Sequence, residues 1–276
     1  MNKLRVATWN AEGMFVEGSK TRRGTPHDAV AVIKKLCADI ISIPEFGMFA
    51  TLTDEIRTTL QALGYEIVET PYKDAYHNEY GMALLSRLPI VHTQTVRFAD
   101  HRNAIEAKVL DSQSNIIKVL AVHLDDSSER NRLEEIADIA KHLESSGNLP
   151  TLLMGDFNAM AMHSNFARLA RSAMARSVAR RLPHPILKDM ALRVNEMALG
   201  STIQYLQDHS HLHDLDPGHK RTISARQRAT DWLPHLKLAK IDWIFGSKHF
   251  RTHSYRVLPD VGSDHRPVIA ELDYSS

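Results

Sequence analysis

The chain has 276 residues, a length that several α/β architectures use as one domain, with a single large core or a core carrying an insertion. Hydrophobic residues make up 43% and charged residues 24%, and a formal charge of +1 with a pI near 8.0 names no partner. That composition excludes a disordered or fibrous chain, and the single cysteine, Cys37, has no intramolecular partner for a disulfide.

In chain order, "MNKLRVATWNAEG" enters an alternating strand pattern directly, without the apolar stretch and cleavage site of a signal peptide. No apolar run approaches the roughly 18 residues of a transmembrane segment, so a soluble cytoplasmic protein is expected. Apolar, β-branched-rich stretches predict strands over 3–9, 39–44, 65–70, 81–86, 104–110, 116–122, 150–154, 241–245 and 267–272. Helices interrupt them: "TPHDAVAVIKKLCAD" opens on a Thr-Pro start signal, and "SSERNRLEEIADIAKHLESSG" runs from a serine cap to a glycine stop. Cys37 reads as a core thiol, with nothing beside it in sequence to lower its pKa. The turn signals "NEYG", "SRLP" and "SGNLP" punctuate the series, and no internal repeat is visible.

Strands in hairpin-like runs with helices between them suit an α+β sandwich of two mixed sheets packed face to face. One domain over 1–276 is expected, with residues at about 160–235, long, polar and helical in pattern, as a helix-rich insertion.

Carboxylates, amides and imidazoles gather at the carboxyl ends of the predicted strands. They are Asn10 in "ATWNAEG", Glu45 in "SIPEFG", His123 in "AVHLDD", Asp156 and Asn158 in "MGDFNA", Asp242 in "KIDWIF", and Asp264 and His265 in "GSDHRPV". Each also has a plain structural reading. Asn10 could cap a turn, Glu45 could be a solvated loop acid, His123 a satisfied histidine, and Asp156 and Asn158 ordinary turn-formers. Asp242 resists this, since a carboxylate inside an apolar strand needs a partner, and His265 is the natural candidate.

The ordered set resembles the endonuclease/exonuclease/phosphatase superfamily of metal-dependent phosphoesterases, over nearly the whole chain. "YGMALLSRLPI" and "HRNAIEAKV" are similar to that family's central hairpin. The resemblance implies a four-layer α/β/β/α sandwich and a Mg²⁺ cofactor, with Mn²⁺ as an alternative. It makes Glu45 the main metal ligand, with Asn10 adding its carbonyl directly or through water, and Asp264 joining or backing the metal's ligands. Pro44 stands where the family more often has glutamine, a change expected to alter the loop and leave the metal.

By the same resemblance Asp156 activates the attacking water and Asn158 donates its amide to the developing phosphorane. His265, held by Asp242, binds the phosphate as an imidazolium or serves as the base, and the charged role is favoured because a carboxylate partner raises its pKa. His123 stands where abasic-site endonucleases carry tyrosine, and can bind a nonbridging oxygen or protonate the leaving oxygen. Arg102 and Asn103 are candidates for phosphate contact and for supporting His123, with a surface strand pair as the plain alternative. Arg22 and Arg23, beside Lys20, form a basic group on the expected active-site side.

The substrate is left open among classes. Residues 163–193 carry seven basic residues against one acid, Asp189. That segment reads as a contact for nucleic-acid phosphates, as an attachment to an anionic membrane surface, or as a solvated arginine face. A nuclease or related phosphodiesterase acting on nucleic acid or another phosphodiester is the leading expectation. A phospholipid or inositol-phosphate phosphoesterase is the alternative, and an inactive binding protein a third.

Overall fold

The computed structural model describes residues 2–15, 24–47, 53–73, 79–98, 102–144, 147–216, 218–223, 238–259 and 261–275. In chain order the elements are β1 (Asn2–Thr8), α1 (Pro26–Leu36), β2 (Ile40–Gly47), α2 (Asp54–Ala62), β3 (Glu66–Lys73), β4 (Glu79–Ser86), β5 (Ile90–Arg97), β6 (Asn103–Leu110) and β7 (Ile116–His123). There follow α3 (Glu129–Glu144), β8 (Thr151–Asp156), α4 (Asn165–Ala170), α5 (Ala173–Arg181), α6 (Pro185–Met197), α7 (Ser201–His209), β9 (His213–Asp214), β10 (Asp242–Gly246), β11 (Phe250–Val257) and β12 (Val268–Tyr274).

Among the described residues the strands form two six-stranded sheets, ordered β3-β4-β2-β1-β12-β11 and β5-β6-β7-β8-β10-β9. Each has one parallel pair at its centre, β1 with β2 and β7 with β8, flanked by antiparallel neighbours. Alternation along each strand sets the layers. Leu4, Val6, Ile40 and Leu84 of one sheet meet Ile105, Val119, Leu152, Met154 and Ile244 of the other in the central core. Ala7, Ile41 and Leu85 point outward and are covered by Ile33 and Leu36 of α1 and Leu60 of α2. Leu120, Leu153 and Phe245 are covered by Ile136 and Ile139 of α3 and Leu206 of α7. The result is the α/β/β/α sandwich, and it explains why "LLM" in β8 is an unbroken apolar run: that strand is buried on both faces.

Helix α1 starts where the Thr-Pro signal puts it, with Thr25 and Asp28 forming a reciprocal capping box and Pro26 in the first turn. Cys37 departs from expectation. It is exposed as the left-handed cap after the last helical residue, with Arg87 Nη1 3.5 Å from its sulfur, and that hydrogen bond lowers the thiol's pKa. The stretch read as an insertion holds α4 to α7 over 165–209, and His213 and Asp214 then pair with β10. Met160, Ala167, Ala170, Met197 and Ile241 seat its first part on the sandwich.

β7 and β8 approach so closely that a Cβ on Gly155 would lie 1.9 Å from the Val122 carbonyl oxygen. Gly155→Ala must push the two strands apart, and a destabilisation of about 3 kcal/mol is expected from such overpacking. The midpoint of urea unfolding measures it, and an unchanged midpoint would contradict the close approach.

Candidate active site

The parallel pairs put the ends of β1, β2, β7 and β8 at one edge of the sandwich, and the antiparallel neighbours bring the start of β10 and the approach to β12 to the same edge. Asn10 follows β1, and Glu45 lies in β2 where its pairing with β4 is interrupted between Ile43 and Gly47. His123 and Asp156 are the last residues of β7 and β8 and sit side by side in register. Asp242 opens β10 directly opposite Asp156. Glu45 holds φ +50, uncommon for a residue with a side chain, and the loop after β1 fixes it: Ala11 N donates to Pro44 O at 3.0 Å and Gly13 N to Glu45 O at 2.8 Å. Pro44 thus remains part of the strand and serves as a backbone acceptor.

Asp156, 1% exposed, is the hub. Its Oδ2 accepts from Asn10 Nδ2 at 3.0 Å, and the same nitrogen donates to Glu45 Oε1 at 3.0 Å. Its Oδ1 accepts from Asn158 N at 2.9 Å, with Asn158 at φ +48 turning the chain back over the carboxylate. Asn158 Nδ2 donates to Leu124 O at 3.0 Å, which uses one of the amide's two hydrogens. Two imidazoles face the hub, with His123 Nε2 and His265 Nε2 each 3.6 Å from Asp156 Oδ2. His123 Nε2 is also 3.8 Å from Glu45 Oε1.

The expected pairing of Asp242 with His265 is present, with Nδ1 3.1 and 3.0 Å from the two carboxylate oxygens. The backbone around it is tied on both sides. Thr222 Oγ1 accepts from Ile241 N and Asp242 N, each at 3.1 Å, and Ser263 Oγ accepts from His265 N while donating to Asn10 O at 2.8 Å.

The two histidines are held in opposite states. Burial alone would lower His265, but Asp242, Asp156 and Asp264 hold its imidazole well above the usual range. Burial, with the charges of Arg102 and His265, drives His123 well below it. Burial raises Asp156 to about 7, with the Asp242 charge adding to it, and burial raises Glu45 against the Asn10 hydrogen bond.

Ligating atoms of Asp156, Asp242 and His265 lie within 4.8 Å of one another. That trio is an acid–imidazolium–acid row, hydrogen-bonded on the Asp242 side and an ion pair at 3.6 Å on the Asp156 side, and a protonated imidazole has no lone pair for a metal. Glu45 suits a cation better: it is a hard carboxylate that shares one amide with Asp156 of the other sheet, and burial makes its charge unfavourable where it sits. Asn10 offers its NH₂ to both carboxylates while its carbonyl accepts from Glu12 N at 3.0 Å, so ligation through that carbonyl requires the amide to turn over. Asp264 lies beside His265, its Oδ1 3.9 Å from Nε2 and its N donating to Glu12 Oε2 at 3.2 Å, and its charge is felt at Glu45.

Arg102 is buried, at 3% exposed, and so is not the surface strand residue of the plain alternative. Its Nη2 donates to Asp126 Oδ1 at 3.2 Å, and Arg193 of α6 donates to the other oxygen of the same carboxylate. Asn103 opens β6, half-buried, beside Arg102. Arg22 and Arg23 lie outside the described residues. Sequence reading did not single out Glu12, Asp126 or Ser263, and took Arg193 only as one of the basic residues of 163–193. Glu12 and Ser263 stand inside quoted motifs, whereas the Asp126–Arg193 pair joins positions 67 apart with no local signal.

Behind His123 the chain is locked by a buried polar network. Asp125 N donates to Glu135 Oε2 at 2.8 Å, and Arg132 Nη1 donates to Asp125 O at 2.8 Å while its Nε donates to Glu129 Oε2 at 3.0 Å. Glu129 Oε1 in turn accepts from Thr202 N of α7 at 2.9 Å.

The charge on His265 depends on Asp242. In metal-free protein, the imidazole nitrogens of His265 should titrate above the ordinary histidine range by NMR, and those of His123 should stay neutral through neutral pH. The ion pair's contribution to stability is complete below the ordinary imidazole pKa of about 6.5 and is lost as pH rises through the raised value. Asp242→Asn should bring the His265 titration down towards the ordinary range, and an unmoved titration would contradict the pairing.

Known proteins share this fold. The chain matches the model of the Endonuclease/Exonuclease/phosphatase family over residues 7–265. No curated protein matches it. Among solved structures, an endonuclease/exonuclease/phosphatase from Bacteroides vulgatus has TM-score 0.69 and 18% identity, covering 100% of both chains. One from Beutenbergia cavernae has TM-score 0.69 and 19% identity, covering 100% of this chain and 72% of that one. The 3' phosphatase NExo from Neisseria, bound to a product DNA hairpin, has TM-score 0.63 and 16% identity, covering 98% of this chain and 100% of that one. At these identities the structures establish the fold, and the family match extends over nearly all of the chain: it belongs to the endonuclease/exonuclease/phosphatase family of phosphoesterases.

Proposed function

We propose that the protein is a divalent-metal-dependent phosphodiesterase that acts on nucleic acid or a nucleotide conjugate, with Mg²⁺ as the metal and Mn²⁺ as a substitute. The observation that carries this is the Asp156 carboxylate, buried between an imidazolium and a neutral imidazole and bonded to two asparagines. The nonbridging oxygens of a phosphodiester repel a nucleophile, so catalysis needs fixed positive charge and hydrogen-bond donors where negative charge builds. A cation held by Glu45, with Asn10 and Asp264 as further candidates, would supply Lewis-acid stabilisation of that charge.

The chain's own groups divide the remaining work. Asp156, raised to about 7, is a stronger base than a solvated carboxylate and takes a proton from water as the water oxygen bonds to phosphorus. The phosphorus bond to the leaving oxygen then breaks, and that oxygen takes a proton from solvent. His265, charged and aimed by Asp242, donates Nε2–H to a phosphate oxygen, and the second hydrogen of the Asn158 amide serves another. His123 is neutral, which suits a hydrogen bond to a nonbridging oxygen better than proton transfer to the leaving group.

Arg102 and Arg193 favour a polyanion. Both guanidiniums meet on Asp126, whose charge is felt at Glu45, and a neighbouring substrate phosphate would compete with that carboxylate for them. The Neisseria 3' phosphatase bound to DNA is in keeping with this reading. A phospholipid or inositol-phosphate substrate is the second reading, favoured by exposed apolar side chains beside the arginines of α4 and α5. An inactive binding protein is disfavoured, because the hydrolytic groups lie together.

Purified protein should turn over bis-p-nitrophenyl phosphate and oligonucleotides with Mg²⁺ or Mn²⁺ and lose this with EDTA. Asp156→Asn and His265→Ala should each lower kcat by about a thousandfold or more. Arg193→Ala should raise KM for an oligonucleotide and leave bis-p-nitrophenyl phosphate, with no neighbouring phosphate, unchanged. Full turnover in Asp156→Asn would overturn the mechanism, and cleavage of lipid head-group esters alone would select the second reading.

A further inference from the structure

The described residues include six exposed large apolar side chains, and four of them fall within one short stretch of the insertion: Leu169 at 67%, Met174 at 78%, Val178 at 56% and Leu187 at 38%. On α5, Met174, Val178 and Arg181 are spaced i, i+4 and i+7 and share the outward face, while Ala179 is buried on the other side. Arg168, Arg176, Arg180, Arg181 and Lys188 are exposed around them. The same segment carries seven basic residues and a single acid in a chain of formal charge +1. Apolar side chains are thus turned to solvent in a segment whose exposed charges are mostly positive.

We propose that α4, α5 and the start of α6 form a docking surface for anionic lipid bilayers. Leu169, Met174 and Val178 enter the boundary between head groups and acyl chains, and the arginines bury their stems beside them while their guanidiniums meet lipid phosphates and carboxylates. The chemistry of the patch selects this occupant. Nucleic-acid phosphates would account for the arginines but gain nothing from an exposed methionine and valine, and stacking of bases needs aromatic rings, which these four side chains are not. A second copy of the same face would set arginine against arginine. No helix among the described residues is long and apolar enough to cross a membrane, and the pattern is that of a helix lying along the surface. The same side chains favour the phospholipid reading of the substrate, but docking does not require that reading.

Co-sedimentation of the full chain with vesicles, in EDTA so that turnover plays no part, tests this. The protein should pellet with phosphatidylcholine vesicles containing about one quarter phosphatidylserine, less so at high salt, and remain in solution with phosphatidylcholine alone. Met174→Asp combined with Val178→Asp should weaken pelleting about tenfold or more, and Arg180→Glu combined with Arg181→Glu should do the same. These side chains are exposed, so turnover of bis-p-nitrophenyl phosphate should be unchanged in both variants, which separates this outcome from misfolding and from failure of the catalytic reading. Absence of pelleting by the wild type, or wild-type pelleting by the Asp pair, overturns the proposal. So does loss of duplex DNA binding without loss of vesicle binding in the Glu pair, which assigns the face to nucleic acid. A change from dimer to monomer in the Asp pair, with vesicle binding retained, assigns it to a second copy and also overturns the proposal.

Discussion

A carboxylate almost fully removed from water is the condition on which the rest of the molecule depends. Moving an isolated charge into such a site costs several kcal/mol even after relaxation, so Asp156 requires donors and positive charge arranged around it by the fold. They come from everywhere in the chain: Asn10 from the first strand, Asn158 from its own turn, His123 from the neighbouring parallel strand and His265 from just before the last strand. No single sheet supplies the set. The site therefore exists only when both sheets are packed with their strand ends level, and Gly155 permits the last approach by leaving room for the Val122 carbonyl.

The same constraint divides the two imidazoles. Each lies 3.6 Å from one oxygen of Asp156, yet His265 has Asp242 behind it and His123 has the charge of Arg102 nearby. One pocket thereby holds a cation and a neutral donor side by side. The segment from Leu124 to Ser128 keeps His123 in place through the ties to Glu135, Arg132 and Glu129, and burial pushes the Glu135 carboxyl up to about 8. Helices α3 and α7 thus act on the site through backbone position, without touching it.

Asn10, Glu45, His123, Asp156 and Asn158 were legible in the sequence because each stands at or just past the carboxyl end of a buried strand, whereas Asp242 opens β10 and Asp264 and His265 precede β12, so the carboxyl-end expectation fails for those three. Both sheets place these ends in the same way, so order along the chain was enough to suggest convergence. What escaped has physical causes. β5 is exposed along most of its length as an edge strand and lacks the apolar alternation that marks a half-buried one. β11 alternates, but an irregularity in its pairing between Thr252 and Ser254 breaks the period of two, and β9 is only two residues long. α2 buries only Ile56 and Leu60, too little for its period to stand out. Cys37 looked like core because its neighbours are, although it falls one position past the helix. The matching pairing pattern of the two sheets leaves no trace as a sequence repeat, because register and direction constrain polarity and leave identity free. Contacts such as Arg193 with Asp126 depend on how the insertion folds back, which no local spacing encodes.

On the proposed function, strand ends from both sheets build one metal-dependent phosphoesterase centre around Asp156. Anomalous diffraction at the manganese edge, from crystals of the full chain soaked in Mn²⁺, tests it most directly. The account predicts a manganese peak within this cluster, bonded to a Glu45 carboxylate oxygen. A lack of any peak at the strand ends, or a peak whose ligands leave out Glu45, would contradict it.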